Sequence, residues 1–184
     1  MQKQIIQAFL NLLMEKGWNA VTLEEISSIL GVPIKDIVQI LPGKEQGFSL
    51  LAAHVETQVF AKLSSADVEP YSEKERALEV LLTKLETLTP FKPFLKYLRQ
   101  NFLTLTEISL PFAMAELSSL ERILAHYGFA KTSLLSELKR KGLFGIYLLA
   151  LDTWLQDETH DLGPTSAKLD GLLNRGEIFL ERYS

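Results

Sequence analysis

Three histidines and two nearby carboxylates are the residues whose types could carry catalytic or metal chemistry. His54, His126 and His160 are scattered. None belongs to an i, i+4 pair of ligand-type residues such as makes a zinc-binding helix. Asp152 and Asp157 stand five residues apart in a helical segment, so they fall on different faces, and no partner base is identifiable. Cysteine is absent, which removes thiolate catalysis, disulfides and cysteine-ligated zinc. The sequence has no phosphate-cradling glycine loop and no nucleophile motif. It points to a protein that is not an enzyme, with no catalytic residues, no metal site and no cofactor.

Two other sets suit binding. The aromatic and apolar residues Phe91, Phe94, Tyr97, Leu98, Phe102, Leu105, Phe112 and Met114 could line a pocket for a small hydrophobic ligand or lipid. The same residues suit a packed helical core. Lys139, Arg140 and Lys141 open a strongly apolar segment, ELKRKGLFGIYLLALDTWL. That combination fits contact with anionic head groups. It equally fits a helix buried in the body and in a dimer interface, its basic start in solvent.

The elements that must position these residues are helices. Ile6, Phe9, Leu10 and Leu13 repeat at helical spacing, which predicts a first helix over 2–16 closed by Gly17. The opening segment reads as this amphipathic helix and not as a targeting peptide. Thr22 and Glu25 form a capping-box pattern for a second helix over 22–30, with Leu23, Ile26 and Leu30 inward. Gly31 supplies the turn. A short third helix follows, with Pro33 in its first turn, Ile34, Ile37, Val38 and Leu41 inward, and Lys35, Asp36 and Gln39 most exposed. After Pro42-Gly43 a long helix is expected over 44–63, and residues 64–75 read as a linker. Further helices are expected over 73–89, 93–106, 110–127, 131–157 and 164–182, with Gly142 and Gly145 as weak points in the fourth of these.

Composition agrees with a folded, water-facing chain. Of 184 residues 47% are apolar, enough for a real core. No apolar run approaches the roughly 18 to 20 residues that span a bilayer, so no integral membrane segment is expected and a cytoplasmic location is the simple reading. The net charge of −4 gives no global basic footprint. Within residues 1–50, four lysines face five carboxylates, and the first arginine in the chain is Arg76.

The stretch TLEEISSILGVPIKDIVQILPGKEQGF, preceded by KGW, resembles the tetracycline-repressor (TetR) family of bacterial regulators over about residues 4–50. That resemblance implies an all-α fold in which residues 1–48 form a helix-turn-helix head. Residues 49–184 would form a helical body for ligand binding and dimerisation. It also implies that the third helix enters the major groove through Lys35, Asp36 and Gln39, while Thr22 and Lys44 contact phosphates. Ligand binding in the body, lined by Phe91, Phe94, Tyr97, Leu98, Phe102, Phe112 and Met114, would change the spacing of two heads in a homodimer joined through the last two helices. The chain departs from the family's usual residues at Pro33, Val38 and Ile40, which cannot give the hydrogen bonds of a serine or tyrosine. A second resemblance lies in Trp154, Asp157, Leu169-Asp170, Leu173 and Arg175, which look like the C-terminal segment of ubiquinone-biosynthesis lipid-binding proteins of the same fold. The expected function is therefore a ligand-responsive, DNA-binding transcriptional regulator. Its competitor is a lipid- or hydrophobic-metabolite-binding protein that keeps the fold without operator recognition.

Overall fold

The structure, a computed structural model, describes residues 1–129 and 133–183. Its described residues form helices and turns, without a strand. Two compact units are present: Met1–Val55 with Pro90–Glu116, and Glu56–Thr89 with the chain from Leu117 onward. The chain passes between the two units after Val55, Thr89 and Glu116.

In the first unit, α1 spans Gln2–Lys16 and buries Ile5, Ile6, Phe9, Leu10, Leu12 and Leu13. It ends where Gly17 turns to a φ of 76°, a conformation that costs glycine little. α2 spans Leu23–Leu30. The Thr22 hydroxyl accepts the Glu25 backbone N–H at 3.2 Å, satisfying one of the free donors of the first turn. The Glu25 carboxylate does not complete the expected box; it pairs with Lys16. Gly31, left-handed at φ 64°, closes α2.

α3 spans Ile34–Ile40, with Pro33 as its N-cap. Ile37 and Leu41 are buried as expected. Ile34 and Val38 are not: each is 40% exposed. Helical spacing gives α3 two adjacent apolar rows, and only the row of Ile37 and Leu41 meets the core. Lys44–Gln46 form a single 3-10 turn, so the long helix α4 begins later than expected, at Gly47, and runs to Lys62. α7 spans Lys92–Gln100, with a proline in its first turn, and α8 spans Thr106–His126. Pro111 lies inside α8 and does not start it.

In the second unit, the expected linker holds a short helix, α5, over Ser65–Val68. α6 spans Glu73–Leu88 and begins with a full capping box between Ser72 and Glu75. Glu75's pKa is lowered, chiefly by the Ser72 hydroxyl and backbone N–H that donate to its carboxylate. α9 spans Leu134–Gln156 and passes through Gly142 and Gly145 without a break. α10 spans Gly163–Tyr183 and packs against both α9 and α6. Trp154, Tyr147, Leu169 and Leu173 are buried in this unit.

Candidate nucleic-acid interface

The outward side of α3 carries two parallel rows. Ile34 and Val38 make one, Lys35 and Gln39 the other, because residues four apart on a helix stand one above the other. All four are exposed, and Asp36 beside them is half-buried. Burial of Ile37 and Leu41, in the row next to Ile34 and Val38, holds both outward rows in position. Exposed Thr22 spends its acceptor on the cap and keeps a hydroxyl proton to donate. Lys44 is half-buried. Its ammonium donates to the Trp18 carbonyl oxygen at 2.9 Å and lies 5.1 Å from the centre of the Trp18 ring. Two of its three donor positions remain for an outside acceptor.

Behind Lys44 is an aromatic cluster that periodicity did not show. Phe48 stacks on Trp18 at a centroid distance of 6.0 Å and meets Phe9 edge-on at 5.6 Å. It also contacts Phe94 and Phe112, both at 6.0 Å. Two of the candidate ligand-lining residues are thus packed against the same ring as the head's aromatics. Phe91 and Leu98 are buried too, and Tyr97 and Phe112 are half-buried. Phe102 and Met114 are not brought into this group: they are 43% and 70% exposed. The signal for Phe48 was its aromatic type beside Gly47, but its partners at 9, 18, 94 and 112 are too distant in sequence for spacing to find.

The remaining candidates are structural. Half-buried His54 meets the Phe91 ring edge-on at 6.2 Å, and burial with nearby Lys3 keeps its pKa below 6.5. Exposed His126 lies against the Phe60 ring at 4.5 Å. His160 is exposed in the turn between α9 and α10. No cluster of metal-ligating side chains occurs among the described residues. Asp152 is exposed, whereas Asp157 is buried as the C-cap of α9.

The Asp157 carboxylate accepts four hydrogen bonds. Thr159 donates its backbone N–H at 3.0 Å and its hydroxyl at 2.6 Å. Thr165 donates its own pair at 3.0 and 2.5 Å. Burial alone pushes this carboxyl's pKa up. The four donors outweigh it and hold the pKa at about 2. Asp157 therefore fastens the end of α9 to the start of α10. With Trp154, Leu169 and Leu173 in the core, most of the residues behind the ubiquinone-biosynthesis resemblance are occupied in packing.

The basic run is likewise satisfied within its own unit. Lys139 pairs with Glu73 at 2.7 Å, Arg140 with Glu121, and Lys141 with Glu137 at 3.2 Å. Such pairing leaves little free positive charge for anionic head groups. Among the described residues no helix is long and apolar enough to cross a membrane.

No family model and no curated protein matches the chain. Solved structures do match it. A TetR transcriptional regulator from Nitrosomonas europaea ATCC 19718 is 18% identical with a TM-score of 0.69, over 95% of this chain and 96% of its own. A TetR-family transcription regulator from Shewanella sp. PV-4 is 16% identical with a TM-score of 0.55, over the same shares. The chain thus has the all-α fold of the TetR regulators.

Proposed function

We propose that the protein is a TetR-like, ligand-responsive transcriptional regulator that binds DNA as a homodimer. The observation that carries this reading is the likeness to two TetR regulators over 95% of the chain. In this reading residues 1–48 are the DNA-contacting head. Lys35 and Gln39 face base edges with Asp36 at their side, while Thr22 and Lys44 set the head on phosphates. Residues 49–184 take the ligand and the second subunit. A hydrophobic ligand bordered by Phe91, Phe94, Tyr97, Leu98 and Phe112 would favour one spacing of two heads by its differential affinity. Phe102 and Met114 would join such a site only if the chain around them closed. Pairing of two copies through α9 and α10 would cover Leu138, Leu148 and Leu149, which are all more than half exposed.

The competing reading is a lipid- or hydrophobic-metabolite-binding protein that no longer reads an operator. It is favoured by one observation: the head has five carboxylates against four lysines, whereas phosphate neutralisation supplies most non-specific affinity. Binding to genomic fragments across a range of salt, with native mass spectrometry of the purified protein, separates the two. Selective retention of a fragment, weakened by Gln39→Ala and Lys44→Ala, supports the regulator. Absence of selective binding at low salt, with co-purified lipid, supports the alternative.

A further inference from the structure

We propose that α3 reads thymine methyl groups through Ile34 and Val38, so that its operator half-site is built on A·T pairs. The inference rests on the regulator reading above and specifies which base features that head recognises.

Its basis is the pair of rows on the outward face of α3. Ile34 and Val38 are 40% exposed although their neighbours Ile37 and Leu41 are buried. About two-fifths of Ile34 and of Val38 is left open to solvent by the core beneath the helix. In a major groove this row would find one apolar feature among the base edges, the 5-methyl group of thymine. The adjacent row supplies the matching polar chemistry. Gln39 has the amide that pairs with adenine through N6 and N7, the edge of the base opposite thymine. Arginine, whose fork makes the commonest specific contact with guanine, is missing from the head, since the first one is Arg76. Lys35 is the single cation in α3, and as a flexible point charge it serves a phosphate or a guanine without a fork's geometry.

The competing use of an exposed apolar row is a protein partner. A neighbouring row of lysine and glutamine, one of them charged and both long, suits a groove lined with acceptors and donors better than a dry protein contact. The scale is also appropriate. Covering one methyl-sized group corresponds to about 0.8 kcal/mol, or about four-fold in affinity.

The test uses the full chain. Duplexes bound from a randomised pool at low salt are sequenced, and in the best duplex each thymine is replaced in turn by uracil, which pairs identically but lacks the methyl. The expected result is an A·T-rich half-site in which one or two uracils each weaken binding about four-fold. The same uracils should cost nothing further in Val38→Ala or in Ile34→Ala. Both positions are outward, and circular dichroism confirms that each variant is folded. A selective duplex that tolerates every uracil, or a G·C-built half-site, overturns the methyl reading and leaves the regulator reading standing. Binding to no duplex at all overturns both, and binding of a protein through this row in its place has the same consequence.

Discussion

The ammonium of Lys44 and the indole of Trp18 form one unit: the lysine donates to the tryptophan's own carbonyl at 2.9 Å and lies 5.1 Å from its ring centre. Lys44 is thereby held in place within the protein, and on the regulator reading little side-chain freedom remains to be lost on binding a phosphate. Lys44→Ala removes one charge-assisted hydrogen bond and one cation–π contact, together about 1–2 kcal/mol of stability. On the regulator reading it also lowers the slope of log affinity against log salt by about 0.9. Urea unfolding measures the first effect and a salt titration of operator binding the second. A stability loss with an unchanged slope would mean that Lys44 acts only inside the protein.

Gly47 tests the packing behind that lysine. Its backbone is ordinary right-handed helix, so φ does not demand glycine. A side chain there would run into the Phe9 ring, which is fully buried and has no room to withdraw. Alanine gains up to about 1 kcal/mol in helix propensity. Overpacking a filled core costs about 1–3 kcal/mol, so the clash should prevail. Gly47→Ala is expected to lower Tm by several degrees, and a raised Tm would show that Phe9 gives way.

Asp157 makes stability depend on pH in the acid range. Its folded pKa of about 2 lies below the ordinary 3.8, so the contribution is complete above pH 4 and is lost as pH falls through about 2. The carboxylate is shielded from water but close to the surface, and with that screening the effect is on the order of 1–2 kcal/mol. Asp157→Ala strands the donors of Thr159 and Thr165 and should cost about 2–4 kcal/mol at neutral pH. Unfolding curves of both proteins at pH 7 and pH 2.5 check this: the gap between them should narrow in acid. A gap of constant size would remove the ionised carboxylate from the explanation.

Local signals made much of this fold legible. Gly17 and Gly31 mark the ends of α1 and α2 because each takes a positive φ, and Thr22 marks a start because its hydroxyl caps one. What escaped is what depends on distant partners. Periodicity assigns Ile34, Ile37, Val38 and Leu41 equally to the interior, and only the tertiary neighbours decide that two of them stay outside. Phe94 and Phe112 read well as aromatic lining, but no pattern near residue 94 announces Phe48. Asp157 with Thr159 is a recognisable local turn. Thr165, its other partner, is eight residues away across the turn between helices. In the candidate interface the residue types were readable in advance, whereas the attachment of Lys44 to Trp18 was not.

The outward face of α9 provides the test of self-association. Leu138, Gly142, Gly145 and Leu149 repeat at alternating intervals of four and three, so they share one face, with Leu148 beside it. Leu138 and Leu149 are 54% and 61% exposed, and a side chain added at either glycine would meet open space. Small residues between leucines allow a second helix to approach closely. In a two-fold dimer every residue of the face is used twice, which doubles the effect of one substitution. Covering one leucine contributes about 1.5–3 kcal/mol, so Leu149→Glu should cost at least about 3–6 kcal/mol of association. That is two to four powers of ten in Kd. Because Leu149 is 61% exposed in its own chain, the variant should keep the helical circular-dichroism signal and sediment as a monomer where the parent sediments as a dimer. A parent protein that sediments as a monomer at every concentration rejects the dimer outright. A variant that stays dimeric places the interface on another face.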